Sequence, residues 1–153
     1  MVHIREYEVI NDSKMYPTKK GVCFTKPRWA TFINQLDDID KVVELLKSGQ
    51  PANYFEHIGG RYYVSISQGF KCVNIRRYFK PSDGGKECPT RSGIALRLCE
   101  WDMLTSKIHD LHDTLPELKD AVPCSANDDH LNQMGYFSCR ECNPFALHID
   151  LTK

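Results

Sequence analysis

The chain reads as an α+β protein of antiparallel strands in which one long helix closes each of two repeats. Three observations predict this. Part of the first 50 residues recurs at a nearly constant offset, each copy switches its apolar period from two to about 3.6, and a Gly-Gly pair separates two β-prone runs in the second copy.

The repeat is read directly from the residues. Val2-His3-Ile4-Arg5-Glu6-Tyr7 returns 71 residues later as Val73-Asn74-Ile75-Arg76-Arg77-Tyr78. Pro17-Thr18-Lys19-Lys20-Gly21-Val22 returns at an offset of 72 as Pro89-Thr90-Arg91-Ser92-Gly93-Ile94. The same offset pairs Trp29 with Trp101, Leu36 with Ile108, Asp38 with Asp110 and Leu46 with Leu118.

In the first unit, residues 2–7 alternate as a half-buried strand, and 21–25 form a short β-prone run after a loop containing Pro17. From Trp29, the apolar residues Phe32, Ile33, Leu36, Ile39, Val42, Val43 and Leu46 fall on one helical face. Pro27 suits the first turn, Thr25 can cap and Gly49 can end the helix. The second unit adds a hairpin at its front: 54–58, the turn Gly59-Gly60, then 61–67. A third strand over 70–79 and a fourth over 93–98 flank a loop rich in Pro, Gly, Asp and Ser. The second helix runs from about Glu100, with Trp101, Leu104, Ile108, Leu111 and Leu115 inward, and breaks at Pro116. The expected divisions are 1–50, a partial repeat (β-β-α); 51–122, a full repeat (β-β-β-β-α); and 123–153, a Cys/His tail.

Of 153 residues, 41% are hydrophobic and 26% charged, a composition ordinary for a folded globule. No apolar run approaches the roughly 18–20 residues of a membrane span, and the N-terminal residues lack a signal-peptide pattern, so an intracellular protein without membrane contact is expected. Seven cysteines, sparse over a chain this long, point to reduced thiols. Twenty basic and twenty acidic side chains cancel, which taken alone argues against a nucleic-acid ligand. Their placement reverses that inference. Residues 61–98 hold eight Lys and Arg against Asp83 and Glu87, whereas 99–122 hold two Lys against six acids. Tyr62, Tyr63, Phe70, Tyr78 and Phe79 interleave with the basic strand positions. Strand alternation sends half of these rings into a core; Phe79 is expected outside, Tyr63 and Tyr78 inside. Basic side chains among exposed rings suit single strands, whose bases stack while Lys and Arg follow the phosphates.

Arg61-Tyr62-Tyr63-Val64-Ser65-Ile66, Val73 to Phe79, Pro89-Thr90-Arg91-Ser92-Gly93-Ile94-Ala95-Leu96 and Trp101, in that order, resemble the C-terminal domain of the eukaryotic transcriptional coactivator family called positive cofactor four. Ile4 to Tyr7, Lys19 to Val22, Trp29 and Asp38-Ile39-Asp40 look like the second half of another copy. The resemblance implies a curved four-stranded sheet backed by a helix, two copies pairing through their helices into an intrachain pseudo-dimer, and a nuclear protein binding single-stranded or melted DNA. It places the contacts at Lys71, Arg76, Phe79, Lys80 and Arg91 in the full unit, and at Arg5, Lys19 and Lys20 in the partial one. Departures lie in the absent first hairpin of unit one, in Glu8 standing where unit two has Phe79, and in Ser92 in place of a basic residue. One competent and one degraded surface are expected, and a homodimer would restore two channels. The rival reading is a protein-interaction scaffold that recruits transcription components, with vestigial DNA binding.

In the tail, Cys124, His130, Cys139 and Cys142 combine a close Cys-x-x-Cys pair with a distant Cys and His, a donor set suited to tetrahedral zinc. His148 is an alternative to His130. Unliganded thiols and a redox pair at Cys139 and Cys142 are the other readings. DNA binding itself calls for no cofactor. No Gly-rich phosphate loop, His-Glu-x-x-His pair or nucleophile elbow is present, and His109, His112 and Asp113 read as a solvated helix face, so no enzymatic activity is expected.

Overall fold

The computed structural model describes residues 1–146. Its first unit opens with an antiparallel hairpin of β1 (Val2–Ile10) and β2 (Lys14–Phe24). The turn is made by Asn11 and Asp12, both at φ 55°, a left-handed conformation that short polar side chains tolerate. β2 is longer than the sequence suggests because Pro17 lies within it, at a bulge. Gly21 opposes Arg5 while Pro17 opposes Tyr7, so the strand carries extra residues at a point where a missing N–H does little harm.

The second unit contains a four-stranded antiparallel sheet of β3 (Tyr54–Gly59), β4 (Tyr62–Ile66), β5 (Cys72–Phe79) and β6 (Cys88–Arg97), in that spatial order. The bulge recurs at the equivalent position, with Gly93 opposite Arg76 and Pro89 opposite Tyr78. Glycine is required at both bulges by close approach: a Cβ on Gly21 would lie 2.8 Å from the Ile4 carbonyl oxygen, and one on Gly93 would lie 2.5 Å from that of Ile75. Even the side-chain bonds repeat. Arg5 donates to the Thr18 carbonyl at 3.0 Å and Arg76 to that of Thr90 at 3.1 Å.

Unit one continues into α1 (Lys26–Asn34), capped by the Thr25 hydroxyl, which accepts from the Arg28 N–H at 3.4 Å, and into α2 (Leu36–Lys47). Periodicity predicts one continuous helix here, and Gln35 interrupts it. Its amide nitrogen donates to the His57 carbonyl at 2.9 Å, and its amide oxygen accepts from the Tyr54 hydroxyl at 3.1 Å. Unit two closes with α3 (Leu98–Thr114), and Pro116 starts a separate turn, α4 (Pro116–Lys119), because it cannot donate into the preceding helix.

Both units share one core. Phe24, Trp29, Phe32, Ile39, Ile58, Val64, Val73, Ile75 and Trp101 are fully buried in it. Phe32 stands edge-on to Trp101, with ring centroids 6.1 Å apart. The tryptophan N–H groups then exchange partners across the units. Trp29 donates to His112 Nε2 at 3.0 Å and Trp101 donates to Asp40 Oδ1 at 2.8 Å. Asp40 and His112 are themselves 72 residues apart, the offset of the two tryptophans. Such reciprocity is what a twofold relation between two copies generates.

Candidate nucleic-acid interface and metal centre

Strand register sorts the side chains of the four-stranded sheet into two faces. Glu56, Val64, Ile75 and Ile94 form one cross-strand row, whose three aliphatic members are buried in the core. His57, Tyr63, Arg76 and Gly93 form the adjacent row, which alternation puts on the opposite face. Phe55 joins that face. Its ring stacks on Tyr63 at 4.8 Å with 8° between planes, Tyr78 stands edge-on to both, and His57 tilts against Tyr63 at 5.0 Å. Phe55 is half exposed and Tyr63 partly so, whereas Tyr78 forms the buried floor of the cluster. The sequence assigns Tyr63 and Tyr78 to the core; they are instead packed on the outer face. Burial pushes the Tyr63 hydroxyl pKa up, with Glu87 adding to it, so this phenol stays neutral across the physiological range.

The residues expected to contact nucleic acid surround this cluster unevenly. Arg76 lies on it, half-buried, and Arg91 is exposed on β6 within the bulge, between Pro89 and Gly93. Lys71 and Lys80 are exposed beyond opposite ends of β5. Phe79 is 44% exposed, but it follows Tyr78 by one strand position and so turns toward the other face, away from the stack. In unit one, Arg5, Lys19 and Lys20 are exposed on the hairpin, with Lys20 paired to Glu6 at 3.4 Å. The sequence reading missed Phe55 and His57. They belong to the hairpin that unit one lacks, so the repeat offered no second copy for comparison.

The tail brings Cys124, His130, Cys139 and Cys142 together, with one ligating atom from each lying within 4.8 Å of all the others. His148 lies outside the described residues. Cys124 Sγ is 3.7 Å from Cys139 Sγ and 3.8 Å from His130 Nε2. The edge of a tetrahedron with Zn–S bonds of about 2.3 Å is about 3.8 Å, so the thiols already stand at ligand spacing. His130 Nδ1 is bound to Asp129 at 2.7 Å, which leaves Nε2 turned to the thiols, as a carboxylate behind a metal-bound imidazole does. Burial raises the Cys142 thiol to about 12. Burial also opposes ionisation of Cys139, but N–H groups of Cys142 and Glu141 and the His130 ring outweigh it and lower Cys139 to about 7. One thiolate is therefore accessible at neutral pH, and a cation is what would let the others ionise beside it.

Glu141, between the close cysteines, anchors this cluster to the sheet. Its carboxylate accepts from Arg28 Nε at 3.0 Å and from Arg28 Nη2 at 2.9 Å, and its carbonyl accepts from the Gly60 N–H at 2.8 Å. Arg28 also lies over the Tyr62 ring at 4.8 Å. Gly60, at φ 56°, leaves room for this contact, since a Cβ there would meet Arg28 Nη2 at 2.6 Å.

Among the described residues, no helix is long and apolar enough to cross a membrane. The family model Transcriptional Coactivator p15 (PC4) matches residues 1–35 and 57–107. The chain is also similar to a Caenorhabditis elegans protein named "Putative RNA polymerase II transcriptional coactivator", at 33% identity over 81 residues, or 52% of this chain and 59% of the relative. It thus spans less than two thirds of that relative's length. No solved structure matches it significantly. The matched segments carry both bulged hairpins and both buried tryptophans, they cover more than half of the residues, and the chain belongs to the Transcriptional Coactivator p15 (PC4) family.

Proposed function

We propose that this protein binds single-stranded DNA or opened duplex, with little sequence preference, through the helix-free face of the four-stranded sheet. The observation that carries this reading is the Phe55–Tyr63 stack lying open beside Arg76. Stacked bases would extend this ring pair, while Arg76, Arg91, Lys71 and Lys80 neutralise the phosphates on either side. Phe79, turned to the other side of β5, takes no part in this stack. Arg5, Lys19 and Lys20 form a second, weaker surface without rings of comparable arrangement. Acting on melted DNA beside the transcription machinery places the protein in the nucleus. Zinc held by Cys124, His130, Cys139 and Cys142 is its structural cofactor and takes no part in the DNA contact; elemental analysis should find one zinc per chain, and only a trace would overturn this.

Fluorescence anisotropy of a labelled single strand and of its duplex, repeated over a salt series, tests the reading. A preference for the single strand and an affinity that falls with salt are expected. Equal affinity for both forms, or none for either, would overturn it.

A further inference from the structure

We propose that the free edge of β1 and the groove beside it form an acceptor site for a β-hairpin of a partner chain, apolar at alternate positions. Among the described residues β1 pairs with β2 alone, so its other edge presents unpaired N–H and C=O groups. Beside that edge runs a groove of about 520 Å³, with Val2, Ile4, Leu104, Ile108, Leu111 and Leu115 along it.

What fits there is shown by the other unit, where the equivalent surface is covered. The counterparts of Val2 and Ile4 are Val73 and Ile75, which lie fully buried beside Ile58, Val64 and Ile66 of β3 and β4 in the same sheet. Phe32 and Ile39, equivalent to Leu104 and Leu111, are sealed as well, whereas Leu104 and Leu111 are only partly buried. Val43 is 1% exposed and its counterpart Leu115 is 42% exposed.

Polar chemistry matches too. Gln35 holds the hairpin of unit two by donating to the His57 carbonyl, and its counterpart in the groove is Lys107, an exposed donor whose ion pair to Asp110 is long at 3.9 Å. Trp29 and Ile108 floor the groove, so an occupant would extend the packed interface between the two units. The occupant is two strands deep, one on the β1 edge and one over α3. A second copy of this chain could offer an exposed strand edge but not its β3–β4 hairpin, which is already paired to β5. Transferred from β4 and β5, the register sets the incoming strand against residues 3–6.

The natural probe is a synthetic peptide of residues 53–67, closed into a hairpin by a terminal disulfide and added to the full chain. Saturable binding is expected, with slowed amide exchange over residues 3–6, and with affinity lowered about tenfold or more by Leu104→Lys and by Lys107→Glu. Lys107 is exposed, so its variant retains the fold even if Leu104→Lys does not. No saturation up to about 1 mM peptide, or protection elsewhere than β1, would overturn the proposal. A concentration-dependent dimer that protects residues 3–6 without peptide would overturn the choice of occupant in favour of a second copy.

Discussion

In unit two the core-facing side of β5 is sealed, with Val73 and Ile75 inaccessible, whereas Val2 and Ile4 on the matching strand of unit one are half-buried. The outer face differs in the same way: Tyr78 is 9% exposed under Phe55 and Tyr63, and its counterpart Tyr7 is 54% exposed. Both differences trace to the β3–β4 hairpin. It supplies Ile58, Val64 and Ile66 to one side and Phe55, His57 and Tyr63 to the other, so a single element both closes the core and builds the stacking surface. A repeat without it keeps its bulge, its arginine and its tryptophan but loses the aromatic platform.

Equivalent substitutions in the two units should therefore have unequal effects. The largest contrast is expected between Phe32→Ala and Leu104→Ala. Phe32 is inaccessible and touches Phe24, Trp29 and Trp101, so its truncation should cost about 3–5 kcal/mol; Leu104 borders the open groove and should cost about 1–2 kcal/mol. Urea unfolding of both variants measures this, and equal losses would break the comparison.

Gly93→Ala comes next. The new methyl would collide with the Ile75 carbonyl and the Arg76 backbone between two paired strands, for about 1–3 kcal/mol. Gly21→Ala should cost less, because β1 has a free edge and can shift. Denaturation midpoints of the pair decide the order.

For binding, Phe55→Ala should weaken single-strand affinity by about 1–3 kcal/mol, with Tyr7→Ala nearly neutral. An anisotropy titration in which Tyr7→Ala costs as much would move the interface to unit one.

The smallest effect concerns the helix caps. Helix α1 is capped by an uncharged Thr25 hydroxyl, and α3 by Glu100, whose carboxylate accepts from the Arg97 N–H at 2.8 Å. Hydrogen bonds from the Arg97 side chain and backbone hold the Glu100 pKa below its ordinary value. Its contribution is thus complete above the unfolded-state pKa of about 4.3 and disappears as pH falls through the lower folded value. The stability difference between wild type and Glu100→Gln should shrink on acidification from pH 6 to pH 3, whereas Thr25→Val should cost the same at both.

The repeat was legible in the sequence because its constraints are local. A glycine that must clear a carbonyl, a proline at a bulge and a tryptophan on a helical face each mark the same place twice. The donor types of the tail were legible too. What the residues could not reveal depends on register and on distant contacts. Alternation divides Tyr62, Tyr63, Tyr78 and Phe79 between two faces, but only the packed helices decide which face is the core. The interruption at Gln35 is made by Tyr54 and His57 in another unit, and the anchor at Glu141 by Arg28, 113 residues earlier.

The exchanged bonds of Trp29 and Trp101 have one more consequence. In a dimer of separate chains such an interface dissociates on dilution, and both partners must stay alike because one gene encodes both. Here residues 48–53 join the two halves, so pairing is intramolecular and stability at this interface is independent of protein concentration. Either half is then free to change without altering the other. A neutral protein with one aromatic, basic face and one exposed strand edge is what such freedom permits.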